Sequence, residues 1–269
     1  MNPRSHSSAR RIAALVLRYL YLLRSSWPRI IEISYWPTMQ LIIWGFIATH
    51  FSENPNEPAL TGLLISAVLV WDSLFRSHVS YTLSFLEEMW SRNLGNLFVA
   101  PLRPWELVAG LTVISVLRTL IGIVPAALLA IPFFDVPVFH VVGLPLLAFF
   151  LSLMLTGWAI SLTVTGILIR FGLGAESLTW VLPFLIAPVS CIYYPLDTLP
   201  DWLQSIAHYV SASHIFEGMR SLVLENEFRP DLLANAYLLN LLYLVIGFTC
   251  FLVAFRSARK HGLLLQVGE

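Results

Sequence analysis

Six stretches of mostly apolar residues alternate with polar ones along the chain, at roughly 31–51, 59–80, 105–131, 144–169, 176–194 and 233–255. Each is close to the length of about 20 residues that an α-helix needs to cross a bilayer core. The pattern predicts an all-α polytopic membrane protein with six transmembrane helices in a single domain, 1–269. Several stretches carry flaws: Glu32 and Pro37 in the first, Arg118 and Pro125 in the third, Pro183 and Pro188 in the fifth. Proline is tolerated in a membrane helix when neighbouring groups satisfy the freed carbonyl.

The polar stretches are patterned too. Near the N-terminus, Arg10, Arg11, Arg18, Arg24 and Arg29 fall within an arc of about 140° on a helical wheel. Leu15, Val16, Tyr19 and Leu23 lie on the other side. This predicts an amphipathic helix over 9–27, lying on an anionic leaflet; a helix docked on protein is the alternative. A signal peptide is not expected, because Arg18 interrupts the apolar run and no small-residue cleavage site follows.

The loop 81–104 sets Leu86, Met89, Trp90, Leu94, Leu97 and Phe98 against Glu87, Glu88, Arg92, Asn93 and Asn96 at helical spacing. Such a stripe is too short to span and must bury itself on the membrane boundary or a partner. Leu94 and Leu97, three apart, are expected to fill one partner groove. The loop 195–231 is too polar to span, yet carries Leu199, Trp202, Leu203, Ile206, Ile215, Phe216 and Met219. It predicts one or two short helices dipping into the outer leaflet.

Composition agrees with a membrane protein. Hydrophobic residues make up 57% and charged residues 12%, with mean hydropathy +0.75. A soluble globular or a disordered chain is excluded at that balance. Sixteen basic residues match sixteen acidic ones, so no excess of charge points to nucleic acid. Lys260, the single lysine, precedes His261, which excludes the G-x-x-x-x-G-K-[ST] phosphate loop. Cys191 and Cys250 form no disulfide or zinc pattern.

The basic residues also set orientation. With the N-terminus in the cytoplasm, cytoplasmic segments hold 12 of the 16: Arg4, Arg10, Arg11, Arg18, Arg24, Arg29, Arg92, Arg103, Arg170, Arg256, Arg259 and Lys260. Arg220 and Arg229 fall outside, and Arg76 and Arg118 within spans. Outer loops carry Glu53, Glu57, Asp197, Asp201, Glu217, Glu225, Glu227 and Asp231.

Hydrolytic signatures such as H-E-x-x-H and G-x-S-x-G are missing from the sequence. Asp72 and Arg76, four apart, share a helix face and can pair. Charge at that depth faces protein or water rather than lipid. The pair is either an element of a substrate path or a structural lock. Gly157, Ser161 and Thr165 form a small-residue stripe suited to close helix packing.

The two patterned loops carry a resemblance. The run Glu87-Glu88-Met89-Trp90-Ser91-Arg92-Asn93-Leu94-Gly95-Asn96-Leu97-Phe98-Val99-Ala100-Pro101-Leu102 is similar to the coupling segment of the permease subunits of type-2 ATP-binding-cassette exporters. Pro104-Trp105-Glu106 then opens the third span in that family's manner. Tyr194-Pro195-Leu196 with Leu199-Pro200-Asp201-Trp202-Leu203 resembles its outer re-entrant hairpin. The chain departs from the family at Ser211-Ala212-Ser213 and Ser190-Cys191, positions that bear on subfamily and substrate.

The resemblance implies a permease that is not itself an enzyme. ATP and Mg would be bound by a separate cytosolic ATPase subunit, with a second permease copy completing a homodimer or closely related heterodimer. Glu87, Glu88, Trp90, Arg92, Leu94, Leu97, Phe98 and Pro101 would couple to that ATPase. Tyr35, Gln40, Trp44, Asp72, Arg76, Trp180 and Phe184 would line the path, and Pro195, Leu199, Pro200 and Trp202 would shape the hairpin. The implied activity is export of an amphipathic substrate (a lipid, drug or lipid-linked glycan) across a bacterial cytoplasmic membrane. Two alternatives remain: an ion-coupled secondary transporter or channel using Asp72 and Arg76, and a membrane assembly scaffold.

Overall fold

The computed structural model describes residues 7–51, 58–100, 102–136 and 142–261. Among these residues the chain is helical and contains no strand. In order, the α-helices are α1 (Ser8–Arg24), α2 (Trp27–Phe51), α3 (Pro58–Trp90), α4 (Leu94–Val99), α5 (Pro104–Phe134), α6 (Pro145–Phe171), α7 (Leu178–Ile186), α8 (Asp201–Ala207), α9 (Ser211–Arg220) and α10 (Pro230–His261). Five of them, α2, α3, α5, α6 and α10, are long and apolar enough to cross a membrane, which fits a polytopic membrane protein.

Helix α3 is the centre of the bundle. Its most apolar stretch is 89% buried, against 17% for α2 and 22% for α10. Three of its serines are satisfied within it: Ser73, Ser77 and Ser84 donate to carbonyls three or four residues back in their own helix. The expected second span ended at 80, but α3 continues to Trp90. Tyr81, Phe85 and Leu86 are fully buried, so the last turns keep apolar packing. With 33 residues, the helix is about 50 Å long, more than a hydrocarbon core of about 30 Å.

Helix directions follow from cross-helix contacts. Ser73 reaches Phe150, Ser77 reaches Met154 and His78 reaches Ser161, so α3 and α6 run parallel. Asn240 bonds Ser152, and a Cβ on Gly166 would touch Cys250 and Phe251, so α10 also runs parallel to α6. Ser34 bonds the Ile121 carbonyl and Phe134 covers Gly45, which sets α2 parallel to α5. Close approach has a sequence cause at Gly157, where a Cβ would lie 2.6 Å from the Leu74 carbonyl oxygen.

The stretch 176–194, expected as one span, is not one helix. It comprises α7 (9 residues), a 3-10 turn Ala187–Ser190 (4 residues) and a left-handed Cys191 at φ 56°. Pro188 lacks the amide that would extend α7, and the two pieces together rise only about 20 Å. A 3-10 turn Leu196–Thr198 and helices α8 and α9 follow before α10 begins. Because α6 and α10 are parallel, residues 172–229 carry the chain back from the end of one to the start of the other.

Candidate functional site

One end of the bundle gathers α1, the end of α3, α4 and the C-terminal ends of α6 and α10. Helix α1 packs there through Leu15, Tyr19 and Leu23, all buried. Its apolar stripe thus faces protein, the alternative weighed for this segment. Arg11 and Arg18 flank the stripe and meet carboxylates. Arg11 contacts Glu106 at 2.5 and 2.9 Å, and Arg18 contacts Glu88 at 2.5 Å. Glu106 also accepts the Arg103 backbone N–H at 2.9 Å, which caps the start of α5. The hydrogen bond to Glu106 holds the Arg11 guanidinium above its usual pKa. Burial, then the charge of Glu88, raises the Tyr19 phenol.

Glu87 serves two helices. Arg29 of α2 lies 3.1 Å from it and Arg118 of α5 3.3 Å. Glu88 accepts Asn93 at 2.7 Å besides Arg18. Both carboxylates, which the resemblance assigns to an ATPase contact, also meet cations within the chain. Here three cations lie against two carboxylates; Arg118 and Glu88 are buried, while Arg18 and Arg29 are more than a third exposed.

The loop expected to carry one amphipathic helix is broken in two. Arg92 adopts a left-handed backbone, φ 56°, between the end of α3 and α4. Leu97 is only 8% exposed and belongs to the chain's own core, with Leu94 packed against it. Val99, by contrast, is 87% exposed. Trp90 is exposed at its edge, and its indole N–H donates to Glu176 at 3.2 Å. Arg92 and Asn96 are also exposed. Phe98 lies on the backbone of α4, and Pro101 lies outside the described residues, as do Glu53 and Glu57.

The residues expected along a path separate into two sets. Asp72 and Arg76 are 1% and 7% exposed and pair at 3.2 Å, deep in α3. A second guanidinium nitrogen of Arg76 is buried without a hydrogen-bond partner among the described residues, as is Nε of Arg118. Tyr35, Trp180 and Phe184 are exposed, and Gln40 is partly buried. Helix α2 meets the far end of the return segment where Trp44 stacks on Tyr193, 4.2 Å between rings. Phe184 of α7 packs on Phe75 of α3 at 5.6 Å.

At the opposite end, Pro200 precedes α8, Trp202 is exposed, Pro195 is exposed and Leu199 is partly covered. The turn is held by residues that spacing did not reveal. Arg220 donates to the Cys191 and Tyr194 carbonyls at 3.0 Å each, and Glu217 accepts the Leu196 N–H at 2.8 Å. Asn240 was also missed. It bonds the Ser152 carbonyl at 2.8 Å and accepts from Thr156 and Ser211, joining α6, α9 and α10. A buried asparagine in an apolar run was the available signal, since it demands partners. No group of three or more His, Cys, Asp or Glu is placed to hold a metal among the described residues.

No family model matches the chain, and no curated protein is significantly similar to it.

Proposed function

We propose that the chain is the membrane-spanning permease subunit of an ATP-driven exporter of the type-2 ATP-binding-cassette class. The observation that supports this most is the return of the chain between the parallel helices α6 and α10. We read that return as a sixth crossing made of short pieces, followed by the hairpin α8–α9 at the end away from α1 and α4. Irregular backbone at membrane depth is tolerated only where protein or water surrounds it.

In this reading the arginine-rich end, with α1, α4 and both chain termini, is cytoplasmic. Arg10, Leu17, Tyr21 and Arg24 on the outward side of α1 face the headgroups of a bacterial inner membrane. The Arg92 turn with Trp90, Asn96 and Val99 seats on a cytosolic ATPase that binds ATP and Mg. A second permease copy meets the exposed aromatics Tyr35, Trp180 and Phe184, and an amphipathic substrate leaves between the copies. The Asp72–Arg76 pair is closed off within α3 and its neighbours, which favours a structural lock over an ion-coupling group.

The test is co-expression with the candidate ATPase and reconstitution of the purified pair. ATP hydrolysis stimulated by lipid or drug substrates supports the proposal. A chain that purifies without an ATPase and transports on an ion gradient rejects it.

A further inference from the structure

Helices α6 and α10 touch closely along a floor of glycines. A Cβ on Gly247 would lie 2.7 Å from the Ala159 carbonyl oxygen, and one on Gly166 would lie 3.3 Å from the Cys250 backbone. Side chains rise on either side of that floor and leave an outward-facing cleft of about 440 Å³, lined by Thr163, Ile167, Arg170, Val245 and Val253 among others. A second cavity of about 250 Å³ shares Thr163 and Ile246 and prolongs it. From Val245 to Val253 the helix rises about 12 Å, close to the depth of one hydrocarbon leaflet at about 15 Å.

The charge at one end of the cleft distinguishes it from ordinary lipid-facing surface. Arg170 lies in its lining, exposed, with its guanidinium 5.6 Å over the Phe171 ring. Thr249, Val253, Arg256 and Lys260 follow at helical spacing, so two further exposed cations continue the α10 wall past the cleft. None of the three pairs with a carboxylate among the described residues, whereas Arg11, Arg18, Arg29 and Arg118 at the same end all do. Glu176, the acid nearest in sequence, takes the Trp90 indole.

We propose that this cleft is a binding site for an anionic phospholipid, one acyl chain lying between α6 and α10 and the phosphate against Arg170. An apolar trough ending in cations that no described carboxylate pairs matches an acyl chain ending in a phosphate, and a free phosphate would leave the trough unfilled. The inference rests on the membrane character of the helices and not on the exporter reading.

The experiment uses the full chain in phosphatidylcholine vesicles with trace photoactivatable lipid, either phosphatidylglycerol or phosphatidylcholine carrying a diazirine on the acyl chain. Cross-linked peptides are mapped by mass spectrometry. Labelling of α6 and α10 at the cleft by the anionic probe is expected to exceed that by the neutral probe by about fivefold or more, the effect of one well-placed cation. Arg170→Gln, at an exposed position, is expected to cut that preference about fivefold. Ile167→Trp is expected to stop labelling there by both probes while labelling of α2 persists. Equal labelling by the two probes, or a preference that survives Arg170→Gln combined with Arg256→Gln and Lys260→Gln, would overturn the proposal and leave ordinary boundary lipid. Unchanged elution and unchanged α2 labelling show that each variant is folded.

Discussion

Arg18 and Glu88 are 70 positions apart in sequence and meet at 2.5 Å, fastening α1 to the end of α3. The carboxylate is buried, while the arginine is more than a third exposed, so water screens part of the attraction. Glu88→Gln is expected to lower stability by about 1 kcal/mol and to speed proteolysis within α1. The exchange Arg18→Glu with Glu88→Arg should restore part of the loss. Thermal unfolding and limited proteolysis in detergent measure both, and an unaltered α1 in Glu88→Gln refutes the fastening role.

Asp72 and Arg76 should depend on each other. Asp72→Ala strands a buried arginine, at a cost of about 3–5 kcal/mol. Asp72→Ala with Arg76→Ala should recover most of the lost folded yield. A double variant that is merely the sum of the singles would show that the pair contributes no coupling.

Two positions on α4 should behave in opposite ways. Leu97→Asp buries a charge in the chain's own core and should reduce the amount of folded protein, at about 2 kcal/mol or more. Val99→Asp should leave folding intact and weaken capture of the ATPase at least tenfold. Co-purification normalised to folded protein separates the two. Undiminished capture by Val99→Asp would remove this turn from the coupling contact.

Gly157→Val should force α3 and α6 apart, because its side chain would meet the Leu74 carbonyl and the Ser77 hydroxyl. A loss of about 2 kcal/mol or more is expected from such overpacking. A melting temperature equal to that of the parent would contradict the close approach of these helices.

Sidedness is checked with single cysteines after replacing Cys191 and Cys250. Glu227 is exposed and avoids the left-handed backbone of its neighbour Asn226. A cysteine at 227 should react with an impermeant thiol reagent from outside intact cells, and one at Ser91 should not. Labelling at 91 would invert the proposed orientation.

The long helices were legible because each holds a mostly apolar run of spanning length, Glu32, Asp72, Arg76 and Arg118 notwithstanding. The true end of α3 was not. Ser84, Glu87 and Glu88 read as a loop, yet the Ser84 hydroxyl bonds its own helix and the carboxylates find arginines far away in sequence. The amphipathic character of α1 was visible, but which surface its stripe covers was set by Tyr81, Phe85 and Leu107, residues that no local pattern connects to it. The core packing of Leu97 was hidden for a related reason. Periodicity shows that a face is apolar and does not say whether its own chain or a partner covers it. Arg220 and Asn240 act through backbone carbonyls and short polar side chains brought near by tertiary packing, which leaves little trace in spacing.

The uninterrupted length of α3 makes it a lever. It has no internal proline, unlike α2, α5 and α7. A push on the Arg92 turn cannot be absorbed by a hinge within the rod. It must be transmitted as tilt or rotation of the whole shaft, displacing Asp72 and Arg76 together with the shoulder that Ser77 and His78 press against α6.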